Sequence, residues 1–189
     1  MDWHFRFGYA TLALLLFRLG WGWVGGHWSR FSTFFYAPTT VWRYVRGQGD
    51  ARLTIGHNPL GAASVWALLF FLLLQLASGM ISDDEIASSG PLSSWVSSAW
   101  VSQATWYHRN LGKPVLIVLL ILHVAAILFY LWRKRENLIR PMVTGDKILD
   151  TPAPASRDDA RARLGAALLL AACAAAVALL LKLAPAGAY

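Results

Sequence analysis

Four apolar stretches, at residues 7–24, 60–81, 114–132 and 164–183, each have the length needed to cross a bilayer, whose hydrocarbon core takes about 20 residues at a rise of about 1.5 Å each. Little of the 189-residue chain remains for a soluble domain. Hydrophobic residues make up 57% of the sequence and charged ones 14%, a balance that soluble globular domains rarely reach. The expected fold class is therefore all-α, an integral membrane bundle of four transmembrane helices, with the lipid membrane as its first partner.

One cysteine, Cys173, lies inside the last apolar stretch. Neither a disulfide framework nor a cysteine-ligated cluster can be built from it, so any metal chemistry falls to histidine. The formal charge is +7, but the basic residues sit in short segments beside apolar spans, where they set orientation; nucleic acid is not an expected partner. Asp2, His4 and Arg6 lead straight into apolar sequence with neither a basic leader nor a small-residue cleavage site, so the mature chain is expected to start near Met1.

Arg30, Arg43, Arg46 and Arg52 stand against Asp50 alone between the first two spans, and Arg133, Lys134, Arg135 and Arg140 follow the third. The positive-inside rule makes both segments cytoplasmic. The second connection carries Asp83, Asp84 and Glu85 with no basic residue before Arg109, and is expected outside. Both termini then lie on the outer side, which suggests that a preceding span is absent from this chain. Gly56-His57-Asn58-Pro59 and Gly112-Lys113-Pro114 read as the beginnings of the second and third helices. The stretch 150–162, rich in Pro, Ala and charge, reads as a linker to a last helix that offers packing or anchorage.

Ionisable side chains at membrane depth are costly and mark candidate sites. His4 and His108 both lie at the outer ends of spans, at one level. Two imidazoles facing each other from neighbouring helices are what a six-coordinate haem iron needs, although histidines at such places also serve as interfacial caps. His123 sits 15 residues beyond His108 in apolar surroundings, about 22 Å deeper in a helix, as a ligand or as a hydrogen-bond partner within the bundle. Arg18, at a similar depth, is a candidate for haem propionates or a snorkelling interfacial arginine. His27, Arg30 and His57, near the cytoplasmic loop, could face an acidic partner or a quinone head group, although solvated interfacial histidines are the more common case at such places. Gln75, in the middle of the second span, could bond a quinone carbonyl or join two helices. The tryptophans at the span ends fit a lipid interface.

The sequence resembles the bacterial cytochrome b561 and nickel-hydrogenase b-type cytochrome superfamily. The resemblance rests on Trp3-His4 with Gly8-Tyr9, Phe17-Arg18-Leu19-Gly20-Trp21-Gly22, Gly25-Gly26-His27-Trp28-Ser29-Arg30-Phe31, Gly56-His57-Asn58-Pro59-Leu60-Gly61, Tyr107-His108, Leu122-His123 and the run from Glu136 to Gly145. It implies a haem domain over residues 1–147, followed by a linker over 148–162 and an added C-terminal helix over 163–189. It also implies electron transfer through bis-histidine haem b between a quinone pool and a partner redox protein, such as a cytochrome or hydrogenase-type subunit, in the inner membrane.

By that resemblance the outer haem is held by His4 and His108, while His123 matches one ligand of an inner haem. The chain begins where the second core helix of the family begins, so three of its helices match core helices two to four and the other ligand of the inner haem has no counterpart. The offset from His108 to His123 is one residue longer than is usual in the family, a difference that a local bulge near Gly112–Pro114 would absorb. Two other functions remain open on sequence alone: a quinone-coupled oxidoreductase acting on a small oxidant at the outer face, and a non-redox membrane scaffold. An oligomer is compatible with each.

Overall fold

The computed structural model describes residues 1–49, 53, 55–86, 88–147, 149 and 152–184. Asp50 and Arg52, the linker positions 148, 150 and 151, and the C-terminal residues 185–189 lie outside the described residues. The four apolar stretches form long helices: α1 (Asp2–Val24), α3 (Pro59–Ile81), α5 (Lys113–Trp132) and α7 (Ala160–Leu183). Short helices α2 (Pro38–Val45), α4 (Ser98–Trp106) and α6 (Ile139–Thr144) lie between them. The chain is an all-α, multi-pass membrane protein.

Local chemistry sets the helix boundaries. Asn58 caps α3 by accepting the Gly61 N–H through Oδ1 at 2.8 Å, with Pro59 in the first turn, where its missing N–H leaves no bond unmade. Asp159 caps α7 by accepting the Ala162 N–H at 2.7 Å, so this helix starts at Ala160 and takes in the last residues expected to be linker. Asn137 Oδ1 accepts from the N–H groups of Ile139 and Arg140 at 3.0 and 3.1 Å. α6 then stops at Gly145, whose φ of 82° is in the left-handed region that favours glycine.

The third span is longer than its apolar stretch. α5 does begin at Lys113 with Pro114 in its first turn, but the chain entering it is already helical from Ser98, and the helical stretch continues to Trp132, 35 residues in all. Its middle is a π-helical turn over Tyr107–Gly112, next to the proline whose absent N–H interrupts the α-helical ladder.

α3 is the central element, touching α1, α2, α4 and α5, while α7 packs along α1, with Leu169 of α7 against Gly20 of α1. The small buried core lies at the α3 N-terminal end, where Phe31, Phe34 and Ala62 meet Leu19, Val65 and Trp66. Elsewhere apolar surface faces outward: Ile121 and Leu122 are each 60% exposed. Exposure to water would cost roughly 25 cal/mol per Å² of such surface, and lipid removes that cost.

Candidate functional site: a histidine pair between α1 and the π-turn

His4, in the first turn of α1, and His108, in the π-turn, face each other with ring centroids 5.9 Å apart and planes 88° to one another. Among the described residues this is the one ring contact between two histidines. Nothing bonds the two rings directly. Two imidazoles each bound through one nitrogen to opposite sides of a metal, at about 2 Å, have centres roughly 6 Å apart, so the pair is spaced for a shared iron.

α3 prepares His108 for that role. Its Nδ1 lies 3.0 Å from the carbonyl oxygen of Gln75. A carbonyl only accepts, so Nδ1 carries the proton and Nε2 keeps its lone pair, the tautomer a ligand needs. Ser78 Oγ lies 3.4 Å from the same Nδ1 and donates to the Gln75 carbonyl at 3.0 Å. Gly79 makes room for the ring, since a Cβ there would come within 2.8 Å of His108 Cε1. Ser78 and Gly79 were not singled out from the sequence. The signal available was a small polar patch three and four residues beyond Gln75 in an otherwise apolar helix.

The π-turn also sets the register of His123. One residue of the 15 from His108 to His123 is taken up by the wider turn, leaving 15 − 1 = 14, close to the 14.4 residues of four α-helical turns. Both histidines consequently meet α3: His123 Nδ1 lies 3.4 Å from Ser64 Oγ. The bulge expected near Gly112–Pro114 is present just before it.

The remaining candidates gather at the opposite end of the bundle. Arg18 donates from Nη1 to the Ser29 carbonyl at 3.3 Å and lies over the rings of Phe31 and Phe34, at 4.9 and 5.9 Å. Arg30 donates from Nε to the Gly25 carbonyl at 2.8 Å. Both arginines thus brace the turn that follows α1. His57 packs on Phe34 at 4.6 Å, and its carbonyl accepts from Tyr36 OH at 2.9 Å. Burial, then the positive charge of Arg18, holds the His57 imidazole below its ordinary range, so it is neutral at pH 7. His27 stacks edge-on against Trp28 at 4.8 Å. Trp28 is in turn tied to the segment before α7, its indole N–H donating to the Pro154 carbonyl at 2.8 Å. Gln75 turns its carboxamide to the third span, where Nε2 donates to the His108 carbonyl at 3.1 Å.

An open hollow of about 750 Å³ between the α3–α4 connection and the third span is lined by residues that include Asp83, Glu85, Ser93, Thr105, Arg109 and Asn110.

The profile of the prokaryotic cytochrome b561 family matches residues 1–145, which takes in α1 to α6. The chain belongs to this family. Membership makes it a membrane b-type cytochrome by family, and the family implies b-type haem. A protein of Bradyrhizobium diazoefficiens (strain USDA 110), named as a probable Ni/Fe-hydrogenase B-type cytochrome subunit, is 26% identical over 163 residues, 76% of this chain and 64% of that protein. The chain thus spans 64% of the length of that curated relative. No solved structure matches.

Proposed function

We propose that this cytochrome b561 family member carries single electrons through a haem b held between His4 and His108, at the outer face of a bacterial inner membrane. The observation that carries the reading is the 5.9 Å pairing of the two rings, with the His108 tautomer set by the Gln75 carbonyl. When bound, the haem supplies a one-electron couple. The chain's own part is to present two imidazoles from separate helices, that of His108 with its Nδ1 proton held by the Gln75 carbonyl; such a pair would hold the haem for electron transfer rather than for bond-making.

His123 is the candidate ligand of a second haem, with Ser64 placed at Nδ1 as Ser78 is at His108. The opposite ligand would come from another chain or segment. Arg18 lies at the same end of α3 as His123 and, while bracing Phe31 and Phe34, offers a positive charge for propionates. His27, Arg30 and His57 are proposed contacts for a quinone or an acidic partner. The partner is proposed to be a redox protein, by analogy with a hydrogenase-type subunit. The hollow lined by Asp83, Glu85 and Arg109 carries two carboxylates against one guanidinium. That balance disfavours the alternative of a small anionic oxidant reacting there.

Reduced-minus-oxidised spectra of the purified protein test the reading. A sharp low-spin b-type α-band and at least one haem per chain are expected, and a folded sample that takes up no haem would overturn it.

A further inference from the structure

Gln75 holds His108 twice. Its backbone carbonyl accepts the Nδ1 proton at 3.0 Å, and its side-chain Nε2 donates to the backbone carbonyl of the same histidine at 3.1 Å. The second bond falls on a weak point of the helix. In a π-turn the backbone bonds slip from the fourth to the fifth residue along, which widens the helix at His108. The Gln75 amide brings the His108 carbonyl a donor from outside the helix.

This bond is made at a cost. Gln75 Oε1 is buried and, among the described residues, has no hydrogen-bond partner, a condition that native structures seldom tolerate without reason. Turning the amide over would set that oxygen against the His108 carbonyl, acceptor to acceptor. The side chain therefore leaves its oxygen unmet in order to keep its donor on His108. Gly112 leaves room for this: a Cβ there would collide with Gln75 Oε1.

We infer that Gln75 is the positioning residue of the His4–His108 site, its carboxamide pinning the π-turn so that the His108 imidazole stays directed at His4. The inference rests on the haem reading above. It assigns Gln75 to the ligand's backbone rather than to a quinone.

The test compares haem-loaded wild type with Gln75→Met, which keeps length and loses the donor, and with Gly112→Ala. Alanine is the better helix former, and its Cβ would meet Gln75 Oε1 first and Tyr107 Cε1 at 2.8 Å, so a loss shared with Gln75→Met reports displacement of Gln75 and not a weakened helix. Electron paramagnetic resonance of the oxidised protein and transfer of haem to apomyoglobin are the readouts, with helix content by circular dichroism as the check on folding. Both variants should keep wild-type helix content, shift the low-spin g values and release haem roughly 10-fold faster, the scale typical of lost outer-shell contacts. Wild-type g values and release rates in folded Gln75→Met, or in Gly112→Ala should the first variant not fold, would overturn the inference while leaving the haem reading intact. A wild type that binds no haem would overturn both.

Discussion

Ser78 Oγ stands 3.4 Å from Nδ1 of His108, and Ser64 Oγ stands at the same distance from Nδ1 of His123. The two serines are 78 − 64 = 14 residues apart on α3, the separation left between the two histidines once the π-turn has absorbed one residue. Two helices running in opposite directions thus repeat one serine–histidine contact at two depths.

If each serine tunes its own histidine, Ser78→Ala and Ser64→Ala should act at different haems. A net hydrogen bond is worth about 1 kcal/mol, or roughly 40 mV for a one-electron couple. In a redox titration, Ser78→Ala should move the His4–His108 haem by up to about that amount and leave any His123 haem in place. Ser64→Ala should do the reverse.

Gly79→Ala should disturb the outer site directly, because its Cβ would lie 2.8 Å from His108 Cε1 and 3.1 Å from Nδ1. A haem-to-chain ratio several-fold below that of wild type is expected. Gly8→Ala is the control: nothing lies within 4 Å of a Cβ at Gly8, and alanine there should raise helix stability by up to about 1 kcal/mol.

Arg18→Met should destabilise the fold without altering the outer haem. The guanidinium lies between the Ser29 carbonyl and the Phe31 and Phe34 rings, contacts worth on the order of 1–2 kcal/mol together. A lower melting temperature with an unchanged His4–His108 spectrum is expected. A spectral change confined to a second haem would add a propionate role.

His57 gives the pH dependence its sign. Its imidazole is held below the ordinary value by burial and by Arg18, so near pH 6 the unfolded chain binds more protons than the folded one. Stability then rises with pH in that region. Melting temperature should fall as pH drops through about 6.5, and His57→Phe should flatten that part of the profile.

The four spans were legible because lipid demands long apolar runs, and these run-lengths survive any packing detail. The histidine level was legible for the same reason, since depth follows from counting residues along a helix. The bulge could be expected from one surplus residue beside Pro114, although its exact turns could not. The Gly112–Pro114 segment does open α5, with the proline in its first turn, but the helical turns that lead into it carry no glycine or proline to announce them.

What escaped the sequence reading depends on contacts between distant segments. Phe31 and Phe34 enter the core only because the turn after α1 folds back, with Gly22 clearing the way for Phe31. The segment before α7 is polar and proline-rich, yet Pro154 and Ser156 are tied to Trp28. α2 is amphipathic but only eight residues long, too short to register against the neighbouring spans. The pairing of Ser64 with His123 needed both helices in register, which awaited the π-turn.

The most direct test of the central claim is the haem content and reduced-minus-oxidised spectrum of His4→Ala and His108→Ala, each purified as the full chain. Either change should abolish the same low-spin component, one haem per chain, while His27→Ala should keep it. Retention of that component at full amplitude in either single variant would contradict the proposal that His4 and His108 hold one haem between them.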